Sequence, residues 1–323
     1  MPLRAGACVG PFFFKGHLTP SSDNLAFGLS EDFVMKCVVV GAGINGLSSA
    51  IWLQRFGHDV TLIDRAEPGG GTSFGNAGIL AAGAILPVTV PGLIPKVPKM
   101  VLSKKSPLFV CWKYFPRLLP FLVRYLSHAT PQHMNRFAQE MRFLLSDSYD
   151  QHLSLARGTG AEKYLHPDDY CHGYADQAAL ESDMPAITLR RAHGYDVDIE
   201  SGEEFAKTDP FYQGKFSYVA RHKNHGRISD PFAYAQTLFA HFLANGGTFT
   251  QAQVHDVIRD QGCVLAVLTP LGEIKADQFV FTLGPWVQNI AQKLGLSIPM
   301  ESEGGYHVEL INPSIYPQLP MMI

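Results

Sequence analysis

No stretch of eighteen uninterrupted apolar residues occurs in this sequence, so nothing in it reads as a membrane-spanning helix. There is also no excess of positive charge. Lysine and arginine total 26 against 29 acidic residues, a formal charge of −3, and a nucleic-acid partner would need a basic stripe. The five cysteines (Cys8, Cys37, Cys111, Cys171, Cys263) form no CxxC pair and no closely spaced set, which fits free thiols in a reducing compartment better than a disulfide framework. Internal repeats and low-complexity tracts are missing too. Residues 1–34 fail as a signal peptide, because Phe12-Phe13-Phe14 is short and Lys15 follows at once. Met35 stands directly before the first apolar run, so the preceding segment reads as a poorly ordered extension outside the fold. These features together predict a soluble, cytoplasmic protein. With 323 residues and 46% apolar content, the chain has enough material for one large domain or two interleaved ones.

What is present is concentrated early. Cys37-Val38-Val39-Val40 has the form of a buried strand, and it breaks into Gly41-Ala42-Gly43-Ile44-Asn45-Gly46. In a GxGxxG turn the first glycine permits the tight bend, the second lets backbone approach a pyrophosphate, and the third allows close helix packing. The helix start adds N–H donors and a positive dipole end. Leu47, Ala50 and Ile51 give a helical stripe, Gly57 stops it, and Val60-Thr61-Leu62-Ile63 gives a second strand. Asp64 ends that strand 23 residues after Gly41, where a carboxylate can accept hydrogen bonds from ribose hydroxyls. This pattern reads as a dinucleotide site, with a purely structural βαβ unit as the alternative, and Asp64 suits a nicotinamide or a flavin dinucleotide equally. A second glycine-rich stretch, Pro68 to Leu80, reads either as a backbone-exposing loop rich in N–H donors or as a flexible connector.

Further along, 108–126 is aromatic, basic and amphipathic, with Pro116 and Pro120 expected to bend or divide any helix. Such a segment can lie on a membrane surface or simply cover a core. A long helix is expected from Pro131 to about Arg157, a turn at His166-Pro167-Asp168-Asp169, a short strand at Tyr170–Tyr174, and a helix over 176–193 interrupted near Pro185. Ser201 with Glu204 makes a capping box. Phe216–Arg221 suits a strand, and Asp230-Pro231 opens a helix closed by Asn245-Gly246-Gly247. Strand-like runs at 248–254, 257–259, 264–269 and 276–282 suggest a small antiparallel meander returning to the main sheet. No metal site is expected. His222 and His225 have ligand-like spacing but no accompanying cysteine or carboxylate, and they read as solvent-exposed loop histidines.

Two later stretches add to the glycine motif. Asp277-Gln278-Phe279-Val280-Phe281 runs into Thr282-Leu283-Gly284 and Pro285-Trp286, and Gly304-Gly305-Tyr306-His307-Val308 follows Ile298-Pro299. Together with Ser73-x-x-Asn76-Ala77-Gly78, Pro91-Gly92 and Ser106-Pro107-Leu108, this order resembles the FAD-dependent amino-acid oxidoreductases of the D-amino-acid oxidase superfamily, most closely the bacterial D-amino-acid dehydrogenases of small-subunit type. The likeness runs from Met35 to about Pro313.

The resemblance implies an α/β fold, with a Rossmann-like FAD-binding domain (35–80 and 215–297) and an interleaved α+β substrate domain on a mixed or antiparallel sheet (81–214 and 298–323). It implies FAD as cofactor. Gly41, Ala42, Gly43, Ile44, Asn45 and Gly46 fall at the pyrophosphate, Asp64 and Arg65 at the adenosine ribose, and Val254 near the adenine. Thr72, Ser73, Asn76, Ala77 and Gly78 fall along the pyrophosphate and the inner edge of the isoalloxazine, and Thr282, Leu283 and Gly284 close the nucleotide side. Tyr306 is the substrate-side candidate. The implied reaction is oxidative deamination of a D-amino acid by hydride transfer from its α-carbon to flavin N5. Electrons would pass to oxygen or to a quinone, the latter favoured if 108–126 meets the membrane. Family members continue beyond the Gly-Tyr strand with a segment that supplies an arginine for the substrate carboxylate. Since Ile323 ends this sequence, the resemblance implies an incomplete substrate domain and an impaired flavin site. A nicotinamide-dependent dehydrogenase and a non-catalytic remnant of the flavoprotein fold are the alternatives.

Overall fold

The structure is a computed structural model, and it describes residues 34–92, 112–302, 305, 307–310 and 312–323. The expected extension up to residue 33, the Ser106-Pro107-Leu108 stretch and Tyr306 lie outside these residues. Among the described residues the strands are β1 (Lys36–Val40), β2 (Asp59–Asp64), β3 (Ile79–Leu80), β4 (Leu165–Tyr174), β5 (Val197–Ser201), β6 (Tyr218–Ile228), β7 (Thr248–Gln251), β8 (Asp256–Asp260), β9 (Cys263–Thr269), β10 (Gly272–Lys275), β11 (Gln278–Phe281) and β12 (Met321–Met322). The helices are α1 (Ile44–Arg55), α2 (Phe115–Ser127), α3 (Pro131–Leu145), α4 (Ser148–Ala156), α5 (Gln177–Ala192), α6 (Gly202–Thr208), α7 (Pro231–Ala244) and α8 (Gln288–Lys293). The chain divides into two compact units, one formed by residues up to Pro68 with Phe242–Ser297, the other by Gly69–His241 with Ile298–Ile323.

The first unit holds an all-parallel sheet in the order β11-β1-β2-β7. Cys37 to Val40 are each 2% exposed or less, as expected for a central strand covered on both faces. On α1 the buried residues are Gly46, Leu47, Ala50 and Ile51, and Gly57 ends the helix at φ +83°. Val38, Val40 and Ile63 pack with Ala252 and Val267, joined by Val257, Ile274, Phe279 and Phe281. The antiparallel meander β8-β9-β10 thus covers that side of the parallel sheet. The meander is shorter than the sequence suggested. Thr248–Gln251 pairs with β2 and Gln278–Phe281 with β1, so only β8 to β10 remain outside the main sheet.

The second unit is built on a sheet ordered β12-β4-β6-β3, with β5 also paired to β6. One face carries Tyr174, Val197 and Ala220 under Leu180 and Ile187 of α5. The other carries Cys171 and Val219 with Phe205 and Tyr212. The expected turn at His166–Asp169 is instead the first part of β4, with a bulge between Asp168 and Tyr170. Pro167 is tolerated because β12 reaches only Cys171 and His172, so Pro167 sits where β4 is paired on one side among the described residues. The single helix expected from 131 to 157 is two, broken at Ser146-Asp147. Pro120 and Pro185 both lie inside continuous helices. Burial of Leu180 and Ile187, about 2 kcal/mol each, offsets the roughly 3 kcal/mol that an interior proline costs. Both predicted caps form: Ser201 accepts from the Glu204 N–H at 3.2 Å and Asp230 from the Ala233 N–H at 2.9 Å. Cys37 and Cys171 are free and buried, whereas Cys263 is disulfide-bonded, so the expectation of five free thiols does not hold.

Candidate functional site

The carboxyl ends of β1, β2, β7 and β11 lie along one edge of the parallel sheet, and the chain segments that leave them carry the candidate residues of the first unit. Order β11-β1-β2-β7 reverses direction at β1, which makes the crevice beside it the expected ligand position of such a sheet. Gly41 leaves β1 at φ +109°, a conformation L side chains rarely adopt, and its N–H donates to Ile63 O at 2.7 Å. A Cβ at Gly41 would stand 2.4 Å from Thr282 O, and one at Gly46 would stand 1.8 Å from Gly41 O. Both positions therefore require glycine, one against β11's exit and the other against the turn itself. The Thr282 hydroxyl donates to Gly41 O at 2.9 Å and to Val40 O at 3.1 Å, while its N–H donates to Val40 O at 2.8 Å. Thr282 thereby fastens the turn to the end of β11.

Gly43 is the N-cap of α1, with extended backbone, no side-chain cap and no acidic residue in the first turn. The first N–H groups of a helix lack intrahelical acceptors, and no residue of this first turn is acidic. Asn45 is exposed, Gly43 and Ile44 are half-buried, and Ala42 and Gly46 are buried. Asp64 closes one side. Its Oδ2 accepts from the Ala42 N–H at 2.7 Å and Oδ1 from the Ala66 N–H at 2.9 Å. Each oxygen keeps a further lone pair, and the half-buried carboxylate can accept hydroxyl donors as well. The Arg65 guanidinium lies 4.3 Å from the centre of the Trp286 ring, beyond the Thr282-Leu283-Gly284 turn. Trp286 is 50% exposed and so is not a core residue. Val254 packs against the cluster of Val38, Val40 and Ile63. An uncapped helix start, a cradle with room only for glycine and a carboxylate at the end of β2 together fit the diphosphate and ribose of a dinucleotide.

Thr72 to Gly78 belong to the second unit. Their loop makes its own internal bonds. Asn76 Oδ1 accepts from the Gly78 N–H at 2.9 Å and Asn76 Nδ2 donates to Ser73 O at 2.9 Å. Gly78, at φ +67°, accepts from the Ile228 N–H at 2.7 Å, and a Cβ there would lie 2.1 Å from Ile228 O. Phe74 meets Phe232 and His307 edge-on at 5.4 and 5.8 Å. Thr72 and Ala77 are exposed.

Sequence reasoning missed a group in the second unit. His222 and His225 are 1% and 3% exposed and belong to β6, which corrects their reading as loop residues in solvent. The Tyr170 ring stacks on His222 at 4.5 Å and contacts His225 at 4.7 Å, and His222 Nε2 is 2.9 Å from His172 Nδ1. Burial, with the nearby Arg190 charge, pushes His222 down to about 2 and His225 down to about 4. The sequence suggests a strand ending at Arg221, because the hydrophilic run Arg221-His222-Lys223-Asn224 offers no apolar alternation to extend it. Among the described residues no three His, Cys, Asp or Glu side chains are placed to hold a metal ion. No helix is long and apolar enough to cross a membrane, and no residue of α2 is buried.

Comparison with known proteins agrees with this geometry. The family model described as FAD dependent oxidoreductase (DAO) matches residues 36–322. A D-amino-acid oxidase of Bradyrhizobium diazoefficiens is 32% identical over 287 residues, which cover 88% of this chain and 68% of that protein. A D-amino acid dehydrogenase of the same organism is 28% identical over 279 residues, 85% of this chain and 66% of that one. Among solved structures, glycine oxidase from Geobacillus kaustophilus superposes with a TM-score of 0.55 at 18% identity, covering 81% of this chain and 59% of its own. The chain therefore spans about two thirds of these curated relatives and less of the solved structure.

Proposed function

The chain belongs to the FAD-dependent oxidoreductase (DAO) family, and from that premise we propose that it takes part in oxidative deamination of a D-amino acid. One observation carries the reading: Gly41, Gly46, Asp64 and Thr282 converge at an uncapped helix start on the carboxyl edge of a parallel sheet. In this reading the N–H groups at Gly43, Ile44, Asn45 and Gly46 hold the FAD diphosphate, with Ala42 at the turn. Asp64 accepts hydrogen bonds from the adenosine ribose, Arg65 borders it, and Val254 lies by the adenine. Thr282, Leu283 and Gly284 close the nucleotide side, while Thr72, Ser73, Asn76, Ala77 and Gly78 lie along the pyrophosphate and the inner edge of the isoalloxazine. When bound, FAD supplies the two-electron acceptor for the hydride of the substrate α-carbon, and the resulting imino acid hydrolyses to a 2-oxo acid and ammonia. The chain's own part is binding, orientation and exclusion of water, with Tyr306 on the substrate side.

The names of the relatives, a D-amino-acid oxidase and a D-amino acid dehydrogenase, support the D-series as substrate. A quinone as acceptor, reached by peripheral contact with a membrane, is supported by α2 and the residues before it. Trp112, Leu119 and Val123 are 61%, 45% and 62% exposed there, beside Arg117 and Arg124. The test separates binding from turnover. The purified chain is titrated with FAD and with NADH by fluorescence, and dye reduction is then assayed with D-amino acids. Saturable FAD binding that Asp64→Ala weakens supports the cofactor site, and NADH binding in its place would reject it.

A further inference from the structure

Arginine lies against a tryptophan ring at two places among the described residues, and the two differ in what they join. Arg55 lies 4.9 Å from the Trp52 ring, and both belong to α1, so that contact links only successive turns of one helix. Arg65 lies 4.3 Å from the Trp286 ring and joins two chain exits far apart in sequence. Arg65 follows the last residue of β2, and Trp286 ends the short 3₁₀ turn Gly284–Trp286 after β11. These strands are not neighbours, because β1 stands between them in the order β11-β1-β2. Strands on either side of a common neighbour are about 10 Å apart. The stack therefore reaches across the carboxyl end of β1, where Gly41 turns toward α1. The same two exits already grip that turn. Asp64 accepts from the Ala42 N–H at 2.7 Å, and the Thr282 hydroxyl donates to Gly41 O at 2.9 Å. Turn, exits and stack thus close a ring of contacts at the mouth of the cradle.

The closing link of that ring is its weakest. Asp64 and Thr282 are half-buried and hydrogen-bonded, whereas Arg65 and Trp286 are both exposed and meet through a cation–π contact. An exposed side chain changes rotamer within nanoseconds, so the link opens without moving either strand. A dinucleotide lies in the crevice at the carboxyl edge beside β1, along the line that the stack spans. We propose that Arg65 and Trp286 form a strap over the nucleotide crevice, which opens to admit the adenosine diphosphate half of the cofactor and closes to retain it. The proposal rests on the dinucleotide reading of the cradle. An exposed cation–π contact favours its closed form about threefold, which leaves the strap open about a quarter of the time. Entry and escape both require the open form, so each rate is cut about fourfold. The strap closes over the empty and the filled crevice alike, and the two factors cancel in the affinity.

The test uses the full chain and etheno-ADP, a fluorescent ADP that carries the ribose and diphosphate but no flavin. Stopped-flow fluorescence gives its association and dissociation rates with the wild type, Trp286→Leu and Trp286→Phe, and urea unfolding checks that each variant folds. Trp286→Leu raises both rates about fourfold and leaves their ratio unchanged. Trp286→Phe keeps a weaker aromatic face and gives rates between the two. It decides the matter if Trp286→Leu does not fold. Rates unchanged in the variants overturn the strap and leave the cradle standing. Faster dissociation alone makes Trp286 a direct contact of the bound nucleotide, and overturns the strap as well. No saturable binding to the wild type rejects the dinucleotide reading itself, and the strap with it.

Discussion

Gly46→Ala sets two effects of opposite sign against each other. Alanine in place of glycine inside a helix stabilises by about 1 kcal/mol, and Gly46 lies in the first turn of α1. The added Cβ, however, would stand 1.8 Å from Gly41 O and 2.9 Å from the Thr282 hydroxyl oxygen. An ordinary carbon–oxygen contact is about 3.3 Å, so α1 and the turn must separate by about 1.5 Å. No flexible side-chain tip can yield here, because the first atom met is a backbone carbonyl. Overpacking of this kind costs about 1–3 kcal/mol, and loosening the bonds from Thr282 to Val40 O and Gly41 O adds about 1 kcal/mol. The net expectation is a loss of about 2 kcal/mol in stability, with FAD binding weakened at least tenfold because the cradle opens. Urea unfolding and fluorescence titration with FAD measure the two quantities on the same preparation. If Gly46→Ala unfolds at the wild-type urea concentration or higher and FAD affinity is unchanged, the close approach of helix and turn is wrong, and with it the argument for the cradle.

Other perturbations give separate checks. Gly78→Ala, at φ +67° with Ile228 O 2.1 Å from the new Cβ, destabilises by about 2 kcal/mol in denaturant unfolding. His225 takes a proton in the unfolded chain near its ordinary 6.5, but only near about 4 when folded among Arg190, Tyr195 and Tyr170. The unfolded state therefore binds more protons between those values, and stability is full above pH ~6.5 and falls as pH drops toward ~4. Urea midpoints at neutral and acid pH should show a gentler fall for His225→Phe than for the wild type, and an equal fall would reject the burial argument. Burial pushes the Cys171 thiol up to about 12 and raises Cys37, so both should resist alkylation until the chain unfolds, as mass spectrometry of the modified peptides can show. Asp64→Asn retains one acceptor for the Ala42 or Ala66 N–H, and it should weaken FAD binding about tenfold with less loss of stability than Asp64→Ala.

The β1–α1–β2 unit was legible because every local signal there agrees with its tertiary role. An apolar run becomes a central strand, Leu47, Ala50 and Ile51 become the buried stripe, and Gly57 becomes the stop. The same holds for the caps at Ser201 and Asp230. Legibility failed where pairing partners far away in sequence overrode local composition. Pro167 with Asp168-Asp169 has turn chemistry, yet β6 pairs across it, and Arg227 and Arg221 neutralise the two aspartates at 2.7 Å each. Pro120 and Pro185 read as breaks, but one missing N–H is affordable in a helix whose neighbouring turns remain bonded. The polar cluster around Arg190 was invisible for a related reason. Its members come from the 81–84 segment, β4, α5, Tyr195 and β6, which are spread along the sequence from Gly83 to His225.

The pairing of β1 with β11 joins Cys37 to Gln278 and Val40 to Phe281. Lys36 and Asp277, bonded at 2.8 Å, are 241 residues apart. A ribosome adding about 5–20 residues each second must work for tens of seconds before the later strand exists. Throughout that interval the valine-rich β1 has an unfilled edge, the kind of surface that recruits strands from other chains. Yield of folded protein should therefore depend on elongation rate and on holdase chaperones more steeply than on equilibrium stability, and variants that merely slow translation between 64 and 278 should aggregate without any change in their melting point.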